Sequence, residues 1–186
     1  MRFRRLSMGG EIVIIALLAI LVGLGAMTVR KENIPLWGSP TRVKLIDLPE
    51  AAAEPRAENA DSLFAPSDAP YRISLAQAAG LYLQREKLGI CFLDARLPEL
   101  YAQGHITGAL NLPREHYDEY RDQMLPLLHK DKLIVIYCDS EECEVALELA
   151  EALLSEEFRR IAVFEGGWME WEKSGYSTVT GSEPGE

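Results

Sequence analysis

The chain has 186 residues and 48% hydrophobic content, enough for one globular domain with extensions. Its formal net charge is −10 at pH 7, with a net of +5 on residues 1–44 and −15 on the remainder. An acidic globular part repels phosphate, which argues against nucleic acid as a partner. Three cysteines are too few for a disulfide-stapled scaffold. No cysteine or histidine cluster has metal-ligand spacing, so we expect no metal site.

The N-terminal segment has the pattern of a membrane signal. A basic tail, residues 1–11, precedes Ile12–Val29, eighteen residues without a charge. As a helix this stretch is about 27 Å long, close to the hydrocarbon thickness of a bilayer. We predict a transmembrane helix over residues 12–29. A cleaved signal peptide is the alternative, although its apolar region usually spans only about 7–15 residues.

Basic residues stand on both sides of this span, so the positive-inside rule does not fix its orientation. A short basic N-terminus ahead of a first apolar segment usually stays inside the cell. We therefore expect a single-pass membrane protein whose globular domain is extracytoplasmic, in the periplasm.

Residues 30–70 have the composition of a linker. Six of the ten prolines fall between Asn33 and Tyr71, together with the alanine- and glutamate-rich run Ala51–Ala60. Such a segment buries little apolar surface and is expected to be an extended spacer. Val43–Leu48 is an exception, because it is apolar enough to pack locally against the domain.

Residues 71–180 alternate between strand and helix patterns, followed by a tail over residues 181–186. Ser74 and Gln77 form a capping box before a helix over Leu75–Lys87, and Gly89 ends that helix. Leu75, Ala78, Ala79 and Leu83 are predicted to form one face of that helix. Strands are predicted over Ile90–Leu93, Ala109–Leu112, Leu133–Tyr137 and Ile161–Phe164. Further helices are predicted over Pro98–Gln103, Glu115–Leu128, Trp168–Lys173 and from Cys143 onward. This alternation predicts an α/β domain with a largely parallel sheet.

The candidate site follows the strand Leu133–Tyr137. Cys138 stands between that strand and a helix, where loop amides and the helix dipole favour a thiolate. A buried structural cysteine is the alternative interpretation. Asp94 and Arg96 end another strand, and ligands of parallel sheets bind beyond the carboxyl ends of the strands. Cys91 lies inside a strand and is predicted to be a core residue.

Three further stretches complete a pattern that resembles the rhodanese-like domain family. They are Asp94-Ala95-Arg96 with Glu99-Leu100-Tyr101, then Gly104-His105-Ile106-Thr107-Gly108-Ala109-Leu110-Asn111-Leu112-Pro113, and Phe164-Glu165-Gly166-Gly167-Trp168 with Trp171. Tyr137-Cys138 stands at the position of the family's catalytic cysteine. The resemblance covers about residues 71–180 and implies a parallel sheet flanked by helices. It also implies sulfur transfer through a persulfide on Cys138, without a metal or organic cofactor.

The loop after Cys138 departs from the pattern of the catalytic members. Glu141 stands where those members often have glycine, and Cys143 stands where they usually have arginine. An arginine would hold an anionic donor such as thiosulfate by a charge-assisted pair. The loop instead carries acidic side chains on both sides of Ser140, namely Asp139, Glu141 and Glu142, with Glu144 following. We therefore expect a poor thiosulfate sulfurtransferase, although these acids also suit a solvated helix start.

Roles for the other matched residues follow from their types. Asp94 and Arg96 are expected to support the active loop or to pair with each other. His105 is expected to be a hydrogen-bonding strut, and Trp168 and Trp171 to pack from one helical face.

Three functions remain in competition. The first is a sulfurtransferase that takes sulfane sulfur from a donor onto Cys138 and passes it to an acceptor thiol. The second is a thiol–disulfide or redox-sensing module in which Cys143 resolves a modified Cys138. The third is a non-catalytic binding module on a membrane tether.

Overall fold

The computed structural model describes residues 46–47, 63–139 and 144–184. Within these ranges the strands are β1 (Ile46–Asp47), β2 (Tyr71–Ile73), β3 (Cys91–Asp94), β4 (His105–Ile106), β5 (Leu110–Asn111), β6 (Ile134–Tyr137), β7 (Ile161–Phe164) and β8 (Thr178–Val179). The α-helices are α1 (Leu75–Leu83), α2 (Arg85–Leu88), α3 (Pro98–Gln103), α4 (Tyr117–Met124), α5 (Glu144–Ser155) and α6 (Gly167–Lys173). Two 3₁₀ turns, Arg114–His116 and Leu125–Leu127, flank α4.

Six strands form one parallel sheet in the order β1-β2-β7-β6-β3-β5, and β4 pairs with β8 in a small antiparallel ribbon. The predicted α/β architecture with a mostly parallel sheet is therefore confirmed. Strand β6 lies between β7 and β3, and all four of its residues are buried. A strand covered on both faces needs apolar side chains at every position, which explains its uninterrupted hydrophobic run.

The two faces of β6 contribute to two different cores. Ile134, Ile136 and Cys138 belong to a cluster that includes the buried side of α5. Val135 and Tyr137 belong to the cluster on the other face, with the buried sides of α1 and α6. Successive side chains of a strand alternate between faces. This alternation places Cys138 on the α5 side of the sheet.

The first predicted helix is interrupted. Its capping box is present: Ser74 N–H donates to Gln77 Oε1 at 2.9 Å, and Gln77 N–H donates to Ser74 Oγ at 3.5 Å. The helix then breaks at Gln84, whose backbone is not helical, and α2 ends at Gly89 in the left-handed conformation (φ 66°). Leu83 was predicted to share a face with Ala78 and Ala79, but its side chain is 83% exposed. The buried residues of α1 are Gln77, Ala78, Ala79, Leu81 and Tyr82.

The helix predicted over Glu115–Leu128 is shorter as an α-helix than expected. It starts as a 3₁₀ turn, continues as α4, and returns to a 3₁₀ turn that contains Pro126. Proline has no N–H to donate to the preceding turn, so the regular α-helical pattern ends ahead of it.

Part of the predicted linker packs on the domain. Phe64 is buried, its ring meets Tyr71 edge-on at 5.3 Å, and its carbonyl accepts from Arg160 Nε at 2.9 Å. Ile46, the residue of Val43–Leu48 whose side chain the structure describes, pairs with β2 and packs against the core, as expected. The packed domain therefore includes described residues that precede residue 71.

The predicted C-terminal tail also contacts the domain. Gly181 N–H donates to the Ala102 carbonyl at 2.8 Å, and Gly108 N–H donates to the Pro184 carbonyl at 2.6 Å. Residues up to 184 therefore belong to the packed structure.

The predicted membrane helix Ile12–Val29 lies outside the described residues. Across the parts that the structure does describe, none of the helices has the length and hydropathy of a membrane span.

Candidate active site

Cys138 lies directly after β6, at the carboxyl edge of the sheet, and its side chain is buried. The cysteine is disulfide-bonded in this structure, whereas Cys91 is free. The one other cysteine of the sequence, Cys143, lies outside the described residues, as do Ser140, Glu141 and Glu142. The described part of the site is therefore the strand end, Asp139 and the side chains around them.

The backbone after Cys138 is held by the start of α6. Trp168 N–H donates to the Cys138 carbonyl at 2.7 Å, and Met169 N–H donates to the Asp139 carbonyl at 3.0 Å. Gly167 permits this approach: its φ is 59°, and a Cβ there would lie 2.7 Å from the Cys138 carbonyl oxygen. A side chain would thus be strained and would also overlap backbone that cannot move aside cheaply. This contact explains the glycine at position 167 of the Gly166-Gly167-Trp168 motif.

Replacing Gly167 with alanine is expected to destabilise the domain by at least about 2–3 kcal/mol, because left-handed strain adds to backbone overlap. Gly175 is the matched control, since its φ is 74° but a Cβ would meet nothing within 4 Å. Gly175→Ala is expected to cost about 1 kcal/mol. Urea unfolding of both variants measures the difference, and equal losses would remove the proposed steric role of Gly167.

Asp94 and Arg96 form a buried ion pair beside this backbone. Arg96 Nε lies 3.0 Å from Asp94 Oδ1, and Arg96 Nη2 lies 2.7 Å from Asp94 Oδ2. The Arg96 backbone N–H also donates to Asp94 Oδ1 at 2.9 Å, which closes the turn after β3. Asn111 Nδ2 donates to the carbonyls of both residues at 3.1 and 2.9 Å. The pair is thereby fixed from both the side-chain and the backbone side.

Arg96 extends this pair to the active loop. Its Nη2 donates to the Gly104 carbonyl at 2.7 Å, its Nη1 lies 3.6 Å from Asp139 Oδ1, and its guanidinium stands 4.9 Å from the Trp168 ring centroid. Burial alone would lower the pKa of Arg96, but the hydrogen bonds and charge of Asp94 raise that pKa above its usual value, with smaller contributions from Tyr137 and Asp139. Arg96 is therefore a fixed cation whose Nε and Nη2 donors are already engaged.

Tyr137 and His105 make further buried hydrogen bonds close to the Asp94–Arg96 pair. Tyr137 Oη accepts from the Ile106 N–H at 3.1 Å, and burial, followed by the charge of Asp94, raises the pKa of this phenol well above its usual value. His105 is buried and stacks on Tyr101 at 3.6 Å, with Nδ1 2.9 Å from the Tyr101 carbonyl. Its Nε2 lies 3.3 Å from the Pro184 carbonyl. The predicted role of His105 as a hydrogen-bonding strut is confirmed.

A pocket of about 150 Å³ opens beside Cys138. Its aliphatic lining comes from Ala95, Leu97, Leu100 and Val145, and its polar lining comes from Arg96, Glu115 and Asp139. The surface of the pocket is mostly apolar. The structure thus brings Arg96, Asp139 and Cys138 to one pocket, with Asp94 behind Arg96.

Metal binding has no visible basis in the described part of the chain. There, His, Cys, Asp and Glu side chains form no group of three that could hold a metal ion.

Cys91 lies away from this pocket and packs, partly buried, against the core on the α5 side of the sheet. Burial raises the pKa of its thiol from 9.0 to about 12. The thiolate is disfavoured in the folded state. This residue's contribution to stability is therefore complete below about pH 9 and declines as the pH rises towards about 12.

Alkylation of Cys91 by iodoacetamide at pH 8 is expected to be about a thousandfold slower in the folded protein than in urea, because three pKa units remove that fraction of thiolate. Peptide mass mapping of the native and unfolded chains measures the ratio. Comparable rates in the two states would show that Cys91 is not protected by burial.

Sequence reasoning missed several residues of the pocket and of the Asp94–Arg96 turn. The pocket residues Leu97, Leu100, Glu115 and Val145 come from three separate elements, and spacing along the chain gives no sign that they meet. Asn111 stood out only as part of the Gly104–Pro113 motif, although its side chain carries two hydrogen bonds to the Asp94–Arg96 turn.

The site therefore consists of a cysteine that follows the central strand of a parallel α/β sheet and an Asp–Arg pair at the same edge of that sheet. The family model of the rhodanese-like domain matches residues 77–174, which is more than half of the chain. The chain therefore belongs to the rhodanese-like domain family, within the range predicted from its motifs.

Individual relatives share part of the chain. The BH2092 protein from Bacillus halodurans is 26% identical with a TM-score of 0.52, and the match covers 60% of this chain and 78% of that one. Thiosulfate sulfurtransferase from Pseudomonas aeruginosa is 22% identical with a TM-score of 0.47, over 59% of this chain and 20% of that one. HTH-type transcriptional regulator Rv0324 from Mycobacterium tuberculosis is 30% identical over 136 residues, or 73% of this chain. The match covers 55% of that regulator, so the chain spans about half the length of this curated relative.

Proposed function

We propose that the chain is a sulfurtransferase that carries sulfane sulfur as a persulfide on Cys138. The observation that carries the proposal is the position of Cys138 at the end of the central strand, beside a pocket large enough for a small donor. Membership of the rhodanese-like family is compatible with this activity but does not establish it, because function resides in the site rather than the fold.

The chemistry requires two displacements at Cys138. The thiolate attacks the sulfane sulfur of a donor, a sulfur–sulfur bond forms, and the rest of the donor leaves with the electron pair of its broken bond. An acceptor thiolate then attacks the outer sulfur and releases the Cys138 thiolate. Since Cys138 is disulfide-bonded in this structure, a thiol reductant must first free it.

We further propose that thiosulfate is a poor donor. Arg96 is the cation among the described residues that line the pocket, and it is engaged by Asp94 and by the Gly104 carbonyl, with Asp139 3.6 Å from its Nη1. Glu115 adds a second carboxylate to the lining. A dianion entering this pocket meets net negative charge, and Cys143 stands where catalytic relatives usually have an arginine to hold it.

A thiol–disulfide or redox-sensing module is the second candidate, and the disulfide at Cys138 favours it. In that case oxidation of Cys138 would be the signal, and reduction by a thiol would reset it.

The membrane attachment and cellular location of the domain are also proposals. We propose a single-pass anchor over residues 12–29 and a periplasmic domain, on the apolar span and the basic tail before it. The partners are then a sulfur donor, a thiol acceptor and the membrane, and the acidic charge of the domain argues against nucleic acid.

Intact-mass spectrometry distinguishes the two candidate functions. The chain is reduced with a phosphine, freed of the phosphine, and then exposed to a sulfane donor or to a mild oxidant. Sulfur transfer predicts an added mass of about 32 Da with the donor, whereas a purely redox module predicts only a loss of about 2 Da with the oxidant. A chain that gains no sulfur from any donor would contradict the proposed sulfurtransferase.

A further inference from the structure

Lysines and arginines are concentrated where the parallel strands begin, at the opposite edge of the sheet from Cys138. Strands β3, β6 and β7 start side by side, because Cys91 is aligned with Ile134 and Ile134 with Ile161. The segments that lead into these strands, residues 85–90, 129–133 and 157–160, form a surface that we call the basic edge. Among residues 63–139 and 144–184, six of the eleven cationic side chains but three of the nineteen acidic ones fall in these segments. The six cations are Arg85, Lys87, Lys130, Lys132, Arg159 and Arg160.

Contacts between the three segments make the basic edge continuous. The side chain of Lys132 lies against Gly89, where a Cβ would be 3.3 Å from Lys132 Cε. Arg160 Nη1 donates to the Asp131 carbonyl at 3.2 Å. The segments before β3 and β7 are thus both joined to the segment before β6.

The two lysines of the middle segment are accessible to a partner. The side chains of Lys130 and Lys132 are 55% and 45% exposed. Lys130 Nζ lies 3.5 Å from Glu157 Oε2, and Lys132 Nζ lies 3.7 Å from Asp131 Oδ2. Ion pairs this exposed to water contribute little stability, so both ammonium groups can turn towards an external anion.

Two leucines with exposed side chains flank the basic edge. Leu83 lies just before Arg85 at the end of α1 and is 83% exposed, and Leu127 lies just before residue 129 and is 56% exposed. The residues of α1 pack on one face of the sheet, whereas Leu125, in the same 3₁₀ turn as Leu127, packs on the other face. Exposed aliphatic side chains beside clustered cations are typical of surfaces that bind the interface of anionic membranes.

The acidic charge of the rest of the domain does not prevent such binding. A strand of four residues such as β6 is about 13 Å long. At physiological ionic strength, exposed charges separated by more than about 8 Å are largely screened from each other. The carboxylates at the carboxyl edge of the sheet therefore contribute little to the electrostatic potential at the basic edge.

We propose that the basic edge docks on an anionic lipid bilayer, with its cations at the lipid phosphates and with Leu83 and Leu127 entering the headgroup region. This interaction goes beyond the proposed sulfur transfer and does not rest on it. Because Cys138 follows β6 at the carboxyl edge, docking in this orientation leaves the candidate active site facing the aqueous phase.

The experiment compares two labelled positions of matched exposure at opposite edges of the sheet. Leu127→Cys places the label at the basic edge. Met169→Cys places it at the carboxyl edge, where the Met169 N–H bonds to the Asp139 carbonyl, and the native side chains are 56% and 57% exposed. Each variant of the full chain is labelled with monobromobimane without prior reduction and combined with lipid nanodiscs. Cys138 is disulfide-bonded and burial raises the pKa of the Cys91 thiol to about 12, so both react slowly, and the wild-type chain gives the background.

The readout is the emission wavelength of bimane, which shortens when the label leaves water. With nanodiscs that contain phosphatidylglycerol, the label at position 127 is expected to emit at a shorter wavelength than with nanodiscs of phosphatidylcholine alone. The label at position 169 is expected to emit alike with both. Replacing Lys130 and Lys132 together by glutamate is expected to lower the ratio of docked to undocked chains at least about tenfold. Arg72→Glu is the control, because Arg72 pairs with Glu165 beyond the end of β7, and it is expected to leave the ratio unchanged.

Three results would overturn the proposal. The first is equal emission from position 127 with both kinds of nanodisc, and the second is a docked-to-undocked ratio that the two lysine replacements do not alter. The third is a shift to shorter wavelength when soluble glycerol phosphate is added to the chain with phosphatidylcholine nanodiscs, since that result would assign the basic edge to free anions.

Discussion

A chain in which Cys138 is replaced by serine is expected to load no sulfur from any sulfane donor, a loss of at least about a thousandfold. A serine hydroxyl is not ionised near neutral pH and cannot form a persulfide, so both displacement steps are lost. The measurement is the rate at which the reduced chain gains about 32 Da from the donor.

Cys91→Ser is the matched control for this prediction. Cys91 lies in β3, packs against the core and has a thiol pKa raised to about 12, so we expect its removal to leave the loading rate unchanged. Loading that survives in Cys138→Ser and disappears in Cys91→Ser would reverse the assignment of the nucleophile.

The second large effect is expected at the buried ion pair. Arg96→Met leaves the Asp94 carboxylate buried without its cation, and removing one partner of such a pair typically costs about 3–5 kcal/mol. The variant also removes the contact between Arg96 and Asp139, so it is expected to slow sulfur loading as well. Urea denaturation of the compact unit Arg42–Glu186 gives the change in unfolding free energy.

Arg72→Met is the control for the loss of an arginine. Arg72 pairs with Glu165, and both side chains are partly exposed, so the expected cost is only about 0–1 kcal/mol. If the Arg96 and Arg72 variants lost equal stability, the buried pair would not be the support of the site that its geometry indicates.

Much of the fold follows from short-range patterns in the sequence. The hydrophobic run Leu133–Tyr137 predicted a doubly covered strand because a parallel sheet needs apolar side chains on both faces. The capping box of Ser74 and Gln77 predicted the start of α1 because both hydrogen bonds are local. The position of Leu83 was wrong, since helical spacing alone does not show which face meets the sheet.

The sequence predicted only those features of the site that follow from the order and direction of the strands. Asp94, Arg96 and Cys138 were expected at one edge of the sheet because parallel strands share their carboxyl ends, and the structure brings them to that edge. The contact of α6 with the Cys138 carbonyl depends on tertiary packing between distant segments. The same holds for Pro184, which reaches His105 from the far end of the chain.

Transfer of isotopically labelled sulfur tests the central claim most directly. The reduced chain is loaded from a donor that carries ³⁴S in its sulfane position, digested, and mapped by tandem mass spectrometry before and after addition of an acceptor thiol. Sulfur transfer through Cys138 predicts the label on the Cys138 sulfur, followed by its loss from the protein and its recovery as a persulfide of the acceptor. Label that never resides on Cys138, or that stays there in the presence of acceptor thiols, would contradict this account.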